Sequence, residues 1–596
     1  MNEVIQHKLK EIINSMYGID NINIQLLKTP DNSMGDLSTP ISMQLAGMLK
    51  RNPKDIASEI VDKFEVDGVS KVEIAGNGYI NFYIDTNTFK NIINSFNENF
   101  ESINIGGGKK IMVEFGQPNT HKGITIGHVK SAITGLSLSR IFESSGYNVI
   151  KTNYFGDIGL YVAKCLWGIA VKGLNFDYNT GFSNGEISRT SDYIKKYEIE
   201  NGLIKTAVYI GECYSFGNKL FEEDGGDKKL IEDLNRRLYD KESNELVELY
   251  DVTRDICIRY QDKFFSDLGV VYDRQYPESE VWENGLKYVN ENIDRIFEKD
   301  TDGSVIFPKK EDKEKYKLHT WVFVTQKGIP TYSAKDLGLA LKKFEEYPDL
   351  DHSIVTTSVE QVAYFKAVIK ALSLISPELD GKYEHIGFGW LLFGGKKTSS
   401  RMGKKLGYEE IMTEMKNYAK KLIKDLKNYN EEEIEDISTK VALGSFKFAI
   451  LSHEFHKDIN YDPESFVSFT GYSAPYILYA YARATSILEK AGYVYENNSI
   501  NDLASYYNTT EEIELIKHIL KIDNEIAVAC KRRTTHLLTK YVFNMSELFN
   551  KFYNKYNVLN EEDKELKTSR LALIYIAKES IKKILYILGI DVVERM

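Results

Sequence analysis

Between Lys110 and Thr152 the spacing of apolar residues changes twice, and no other feature constrains the fold of this chain as strongly. Ile111-Met112-Val113-Glu114-Phe115 reads as a strand. Val129, Ala132, Ile133 and Leu136 then recur at helical spacing, and Gly146 ends that helix. Asn148-Val149-Ile150-Lys151-Thr152 reads as a second strand. Strand, helix and strand in that order form a βαβ unit with a right-handed crossover. The pattern breaks over about 175–320, where the sequence is charged and mostly helical. It returns with Ser353-Ile354-Val355-Thr356-Thr357, a helix carrying Ala363, Val368, Ile369 and Leu372, and the stretch Gly387 to Leu392. A long insertion between two βαβ halves predicts an α/β, Rossmann-like split nucleotide-binding fold.

The flanks differ from this centre. Residues 1–105 mix helices with an expected hairpin, Val72-Glu73-Ile74 and Tyr79 to Ile84 around Gly76-Asn77-Gly78. Residues 436–596 read as all-helical. A chain of 596 residues exceeds what one core organises, so three domains are expected, 1–105, 106–435 and 436–596. Apolar residues make up 42% and charged residues 27%, which excludes a disordered chain. The four cysteines are far apart and form no CxxC pair, so neither a zinc site nor a disulfide framework is expected. The first residues lack the pattern of a secretory signal, and no apolar run reaches the length of a membrane span. The expected location is the cytoplasm. A net charge of −11 argues mildly against a nucleic-acid partner, but a local basic stripe can coexist with an acidic remainder.

Two segments carry chemistry. Pro118-Asn119-Thr120-His121-Lys122-Gly123-Ile124-Thr125-Ile126-Gly127-His128 lies between the first strand and its helix. Gly127 leaves room for a nucleotide to approach the backbone, and a helix start offers free amide donors to phosphate oxygens. His121 and His128 can donate to phosphates as charge develops there. Read alone, a Gly-His pair equally suits an ordinary strand-to-helix loop. Lys396-Lys397-Thr398-Ser399-Ser400-Arg401-Met402-Gly403-Lys404 follows the last α/β strand. It is either a solvated charged loop or a mobile cationic loop that closes on a triphosphate and stabilises the leaving pyrophosphate.

Together the two segments resemble the HIGH and KMSKS elements of class I aminoacyl-tRNA synthetases, and their surroundings resemble the arginyl-tRNA synthetase family. Val113-Glu114-Phe115-Gly116-Gln117-Pro118-Asn119 is similar to that family's strand-and-loop opening. Asn153-Tyr154-Phe155-Gly156-Asp157-Ile158-Gly159 resembles its NY-x-GD-x-G stretch, and Thr331-Tyr332-Ser333-Ala334-Lys335-Asp336-Leu337 its TY-x-x-x-D-(I/L) stretch. The segment Tyr472 to Arg483 is similar to the opening of its anticodon-binding domain. Gly35-Asp36-Leu37-Ser38-Thr39-Pro40 and Ile74 to Phe82 resemble its additional N-terminal domain. The order of these motifs spans essentially the whole chain.

The resemblance implies an arginine–tRNA ligase that uses ATP with Mg2+ as substrate. Its partners would be L-arginine and tRNA(Arg), with no DNA, no membrane and no protein-bound metal, and it would act as a monomer. It assigns catalysis to His121, His128, Lys397 and Arg401, and ATP binding to Thr125, Gly127, His128, Lys397, Ser399 and Ser400. It assigns arginine to Glu114, Asn119, Tyr332, Asp336 and Gln361. A guanidinium is planar, permanently charged and has five donors, so carboxylates and carbonyl-type acceptors suit it. Tyr332 and Asp336 are four apart and would share a helix face, although Asp336 also suits a solvated acid paired with Lys335 or Lys342. For tRNA the sequence offers Lys50, Arg51, Lys54, Arg532 and Arg533, each equally readable as part of a solvated helix face, together with Tyr476, whose helical spacing favours a core place, and Arg483 of the segment that resembles the anticodon-binding domain. The chain departs from the family pattern at Thr125, where the ATP motif normally begins with His, and His121 is the residue expected to compensate. The alternative reading is a catalytically weak or silent synthetase-like protein that binds tRNA.

Overall fold

A computed structural model describes residues 2–29, 34–85, 103–174, 182–223, 227–397, 407–424, 429–494 and 506–596. The chain divides into two compact units. The first comprises Met1–Glu101, Arg483–Ile522 and Met545–Ser580, and the second Ser102–Ala482, Asp523–Asn544 and Ile581–Met596.

In the first unit a four-stranded antiparallel sheet runs in the order Leu27–Lys28, Leu37–Thr39, Tyr79–Ile84, Val69–Ala75. The expected hairpin is its last pair. Ile5, Leu9, Ile12 and Ile13 recur at helical spacing on the Asn2–Tyr17 helix and are buried with Ile56, Ile60, Ile80 and Phe82. The Pro53–Val61 helix starts where its sequence dictates: Pro53 needs no amide partner at the first position, and the Asn52 side chain accepts from the Lys54 N–H.

The second unit is built on five parallel strands in the order Tyr383–Phe388, Leu350–Ser358, Lys110–Glu114, Asn148–Phe155, Arg274–Pro277. The chain leaves Lys110–Glu114 toward one edge and returns beside it at Leu350–Ser358 toward the other. The carboxyl ends of these two strands therefore flank the point where strand order reverses, the place where ligands bind in open α/β sheets. Lys110–Glu114 is buried at nearly every position, as a central parallel strand must be.

The predicted interruption needs one correction. Arg274–Pro277 lies inside 175–320 yet pairs with Thr152–Phe155 as the fifth strand of the sheet. It is short and polar, with Tyr276 its buried residue, so no periodicity announces it. The helices Asn184–Asn201, Leu203–Glu222, Asp227–Asp240 and Asn244–Asp267 precede it. They share a core with Trp167, Ile187, Ile210 and Leu249. A small antiparallel sheet of Glu298–Lys299, Val305–Phe307 and Trp321–Val324 follows.

One helix contact positions the site. The Glu278–Glu291 and Tyr332–Glu346 helices touch backbone to backbone at Gly285 and Gly338. A Cβ on Gly285 would stand 2.1 Å from the Ala334 carbonyl oxygen, and one on Gly338 2.6 Å from the Gly285 nitrogen.

Candidate active site

The loop leaving the first strand turns through backbone conformations that L residues rarely adopt, with φ of +94° at Gly116, +55° at Gln117 and +59° at His121. Gly116 fits because a Cβ there would lie 2.3 Å from the Tyr272 hydroxyl. Hydrogen bonds from the next strand fix the loop. Gln117 N–H donates to Asn153 Oδ1 (3.0 Å), Thr120 N–H to the Gly156 carbonyl (2.9 Å), and Gly156 N–H to Asn119 Oδ1 (3.0 Å). The NY-x-GD segment is thus a brace for the loop. Its Asp157 is buried and accepts from Arg254 Nε (2.7 Å) and from the N–H and hydroxyl of Ser279 (2.9 and 2.7 Å). This ties the loop to the start of the Glu278–Glu291 helix.

Thr125 is the N-cap of the Ile126–Glu143 helix, in the extended conformation that a cap requires. His128, three residues on, accepts the Thr125 N–H at Nδ1 (3.0 Å), the reciprocal bond of a capping box. Burial, with Lys122 nearby, pushes His128 down to about 4, so the ring is neutral at physiological pH. A neutral ring accepting at Nδ1 carries its proton on Nε2, which leaves a donor for a phosphate oxygen. A Cβ on Gly127 would meet only Thr125 Oγ1 at 3.6 Å, so the helix start is open on that side. The buried Lys130 donates to the Gly389 carbonyl (2.6 Å), and burial pushes it down to about 8.

This helix start forms one wall of a cavity of about 1750 Å³. Of the predicted residues, Glu114, Asn119, Thr125, Gly127, His128, Tyr332, Asp336 and Gln361 all line it. Tyr332 opens the Tyr332–Glu346 helix and Asp336 follows one turn later. Lys335 pairs with the buried Glu278, and Lys342 with Glu280 (3.0 Å), so neither is the partner of Asp336. Lys343 forms a buried pair with Glu114 Oε2, whose Oε1 accepts from Gln117 Nε2 (3.0 Å). Asp336 accepts the Tyr364 hydroxyl, and among the described residues no cation lies within ion-pair distance of it. Burial, reinforced by the charges of Glu114 and Glu278 and opposed by the Tyr364 hydroxyl, pushes Asp336 up to about 7.

His121 requires a correction. It does not line the cavity and cannot take over from Thr125. Its ring is fully buried, with Nδ1 2.9 Å from Thr120 Oγ1 and Nε2 2.9 Å from Thr253 Oγ1, and burial pushes it down to about 3. It anchors the loop to the Asn244–Asp267 helix. The residue that reaches the cavity instead is Lys122, held 4.4 Å from the Tyr161 ring centroid and 4.9 Å from that of Tyr214. Sequence reasoning also missed Glu278, which resembles an ordinary helix-start acid, and Lys343, which resembles a solvated helix lysine.

Lys397 ends the short strand Lys396–Lys397, which pairs with Leu391–Phe393; its side chain and Ser399, Ser400 and Arg401 lie outside the described residues. Among the predicted tRNA contacts, Arg51 is held by Glu59 and Arg533 by Glu384 (3.1 Å). Arg483 donates to Asn550 (3.3 Å), and Tyr476 packs on Phe543 (5.3 Å between ring centroids). Lys50, Lys54 and Arg532 are exposed.

The catalytic-domain model of the class I tRNA synthetases (R) matches residues 90–462. The arginyl tRNA synthetase N terminal domain matches 3–84, and the DALR anticodon binding domain 477–596. The arginine–tRNA ligase of Clostridium acetobutylicum is 32% identical over 580 residues, covering 95% of both chains. That of Clostridium perfringens is 29% identical over 607 residues, covering 100% of this chain and 99% of its own. The solved arginyl-tRNA synthetase of Thermus thermophilus shares the fold with a TM-score of 0.79 at 21% identity, covering all of both chains, and that of Plasmodium falciparum with 0.78 at 18%, covering 100% and 99%. Motif order, cavity and domain matches agree: this chain belongs to the arginyl-tRNA synthetase family of class I aminoacyl-tRNA synthetases.

Proposed function

We infer that the chain is an arginine–tRNA ligase and that its cavity carries out both steps of that reaction. The observation that carries the reading is Asp336, a buried carboxyl that lines the cavity and has no cation within ion-pair distance among the described residues. A ligand guanidinium supplies the missing charge and matches a carboxylate in shape. Tyr332, Asn119 and Gln361 line the same cavity and offer further polar contacts to the amino acid.

In the first step the arginine carboxylate attacks the α-phosphate of ATP, and pyrophosphate leaves. In the second a ribose hydroxyl of the terminal adenosine of tRNA(Arg) takes the arginyl group, and AMP leaves. Neither step needs a protein nucleophile, so catalysis is positioning and stabilisation of phosphate charge. The start of the Ile126–Glu143 helix, the His128 Nε2 proton and the Lys122 ammonium would serve the phosphates. Lys397, Ser399, Ser400 and Arg401 are assigned to the pyrophosphate side. Mg2+ enters this scheme as part of the nucleotide substrate. Exposed Lys50, Lys54 and Arg532 are assigned to tRNA phosphates. The deciding experiment is ATP-dependent attachment of labelled arginine to tRNA(Arg) by purified protein. Failure with arginine and with every other amino acid and its tRNA would sink the reading.

A further inference from the structure

The inner wall of the cavity holds three carboxylates in unequal company. Glu114 is paired with Lys343 and Glu278 with Lys335, and all four side chains are buried. Both oxygens of Glu114 are occupied, one by Lys343 and the other by Gln117. The Lys343 ammonium is wholly buried and also lies 5.3 Å from the Tyr383 ring centroid. Among the described residues Asp336 has the Tyr364 hydroxyl as its hydrogen-bond partner and no ion-pair partner. A buried ammonium is costly without its anion, and so is the converse. The pairing therefore fixes how many charges the wall presents to a substrate.

We propose that Lys343 is a specificity-determining positioning residue: by neutralising Glu114 it leaves Asp336 as the one of these three carboxylates without an ammonium partner, so this wall accepts a single cationic side chain and rejects citrulline, the neutral ureido isostere of arginine. This rests on the arginine pocket assigned above. It differs from a wall in which Glu114 and Asp336 both spend their charge on the substrate. In that arrangement Lys343 would compete with the guanidinium for the same carboxylate, and removing it would improve arginine binding.

The test is a charge-balance cycle on the full-length protein, reading the ratio of arginine KM to citrulline inhibition constant in pyrophosphate exchange with tRNA(Arg) present. Glu114→Gln strands the Lys343 ammonium, which cancels Asp336. The preference for arginine should then fall by about tenfold or more. Lys343→Met leaves two facing carboxylates that cannot both ionise freely, so its arginine KM should depend more steeply on pH than the wild type's. The double variant Glu114→Gln/Lys343→Met restores one negative charge and should recover about tenfold of the lost preference, with the ATP KM unmoved throughout. A merely structural pair gives no such recovery. A double variant no better than Glu114→Gln overturns the inference, as does a Lys343→Met protein that binds arginine more tightly than wild type. If either single variant fails to fold, the double is compared with wild type directly: a tenfold or greater loss of preference overturns the proposal, and a smaller one supports it. A wild type that charges tRNA with arginine while the double fails refutes this inference alone. A wild type that does not use arginine refutes the arginine pocket itself, and this inference with it.

Discussion

Before any substrate binds, an Asp336 carboxyl raised to about 7 is roughly half protonated at neutral pH. The facing groups Glu114, Lys343, Glu278 and Lys335 are paired among themselves. On the proposed assignment, a guanidinium arriving below about 7 must expel the Asp336 proton, whereas above it the carboxylate is already ionised. Arginine affinity should therefore rise by up to about tenfold per unit from pH 6 toward 7 and level off near 8. The thermal shift caused by arginine should follow the same curve, and Asp336→Asn should flatten it. That substitution should also weaken arginine use by roughly 30-fold or more and leave the ATP KM near wild type, as removal of one partner of a buried charge pair does. Equal loss of both would refute the assignment. Thr125 changes meaning at this scale. The sequence marks it as a departure from the ATP motif, but its position makes it a helix cap, one of the best residue types for that place. Thr125→Ala should lower stability by about 0.5–2 kcal/mol in urea unfolding. The capping role was not legible in Thr125-Ile126-Gly127-His128, because His stands where a capping box usually has Glu or Gln. Nor was Lys343, because adjacent helix lysines look alike until one of them meets Glu114.

At the scale of elements, the site depends on how the Tyr332–Glu346 helix lies on Glu278–Glu291. Between them these helices carry Tyr332, Lys335, Asp336, Lys343 and Glu278. Gly285 and Gly338 let the two backbones touch, and a methyl group at either would force the helices apart. Gly338→Ala should lower stability by about 1–3 kcal/mol and raise the arginine KM more than the ATP KM, because it displaces the Asp336 helix and not the Thr125 cap. Unchanged stability and unchanged arginine KM would show that the contact yields without consequence. The central strand and its helix were legible because Ile111–Phe115 and Val129–Leu136 keep one period throughout. Arg274–Pro277 was not, because a four-residue strand with one buried side chain is made by its neighbour, Thr152–Phe155, and not by its own pattern.

At the scale of the whole molecule, the order of motifs along the chain made the family legible, whereas the net charge of −11 pointed weakly away from RNA. What composition could not reveal is that residues 581–596 belong to the unit built on the five-stranded parallel sheet. Arg140, on the Ile126–Glu143 helix, donates to the Tyr586 carbonyl (2.6 Å), and the buried Lys447 donates to the carbonyls of Leu268 (3.0 Å) and Gly589. Ile590, Val593 and Met596 are almost wholly buried. Deleting residues 589–596 removes these apolar contacts, a loss of order 5 kcal/mol, comparable to the whole stability of many domains. The deletion should abolish pyrophosphate exchange and lower the melting temperature sharply; an active, stable truncation would show that the tail is dispensable. The consequence reaches into synthesis. A ribosome must reach Ile590 before the helix that holds Gly127 and His128 can be backed by its full core. A nascent chain cut short by stalled translation would thus lack the finished backing of that helix, however much of the parallel-sheet sequence it already contained.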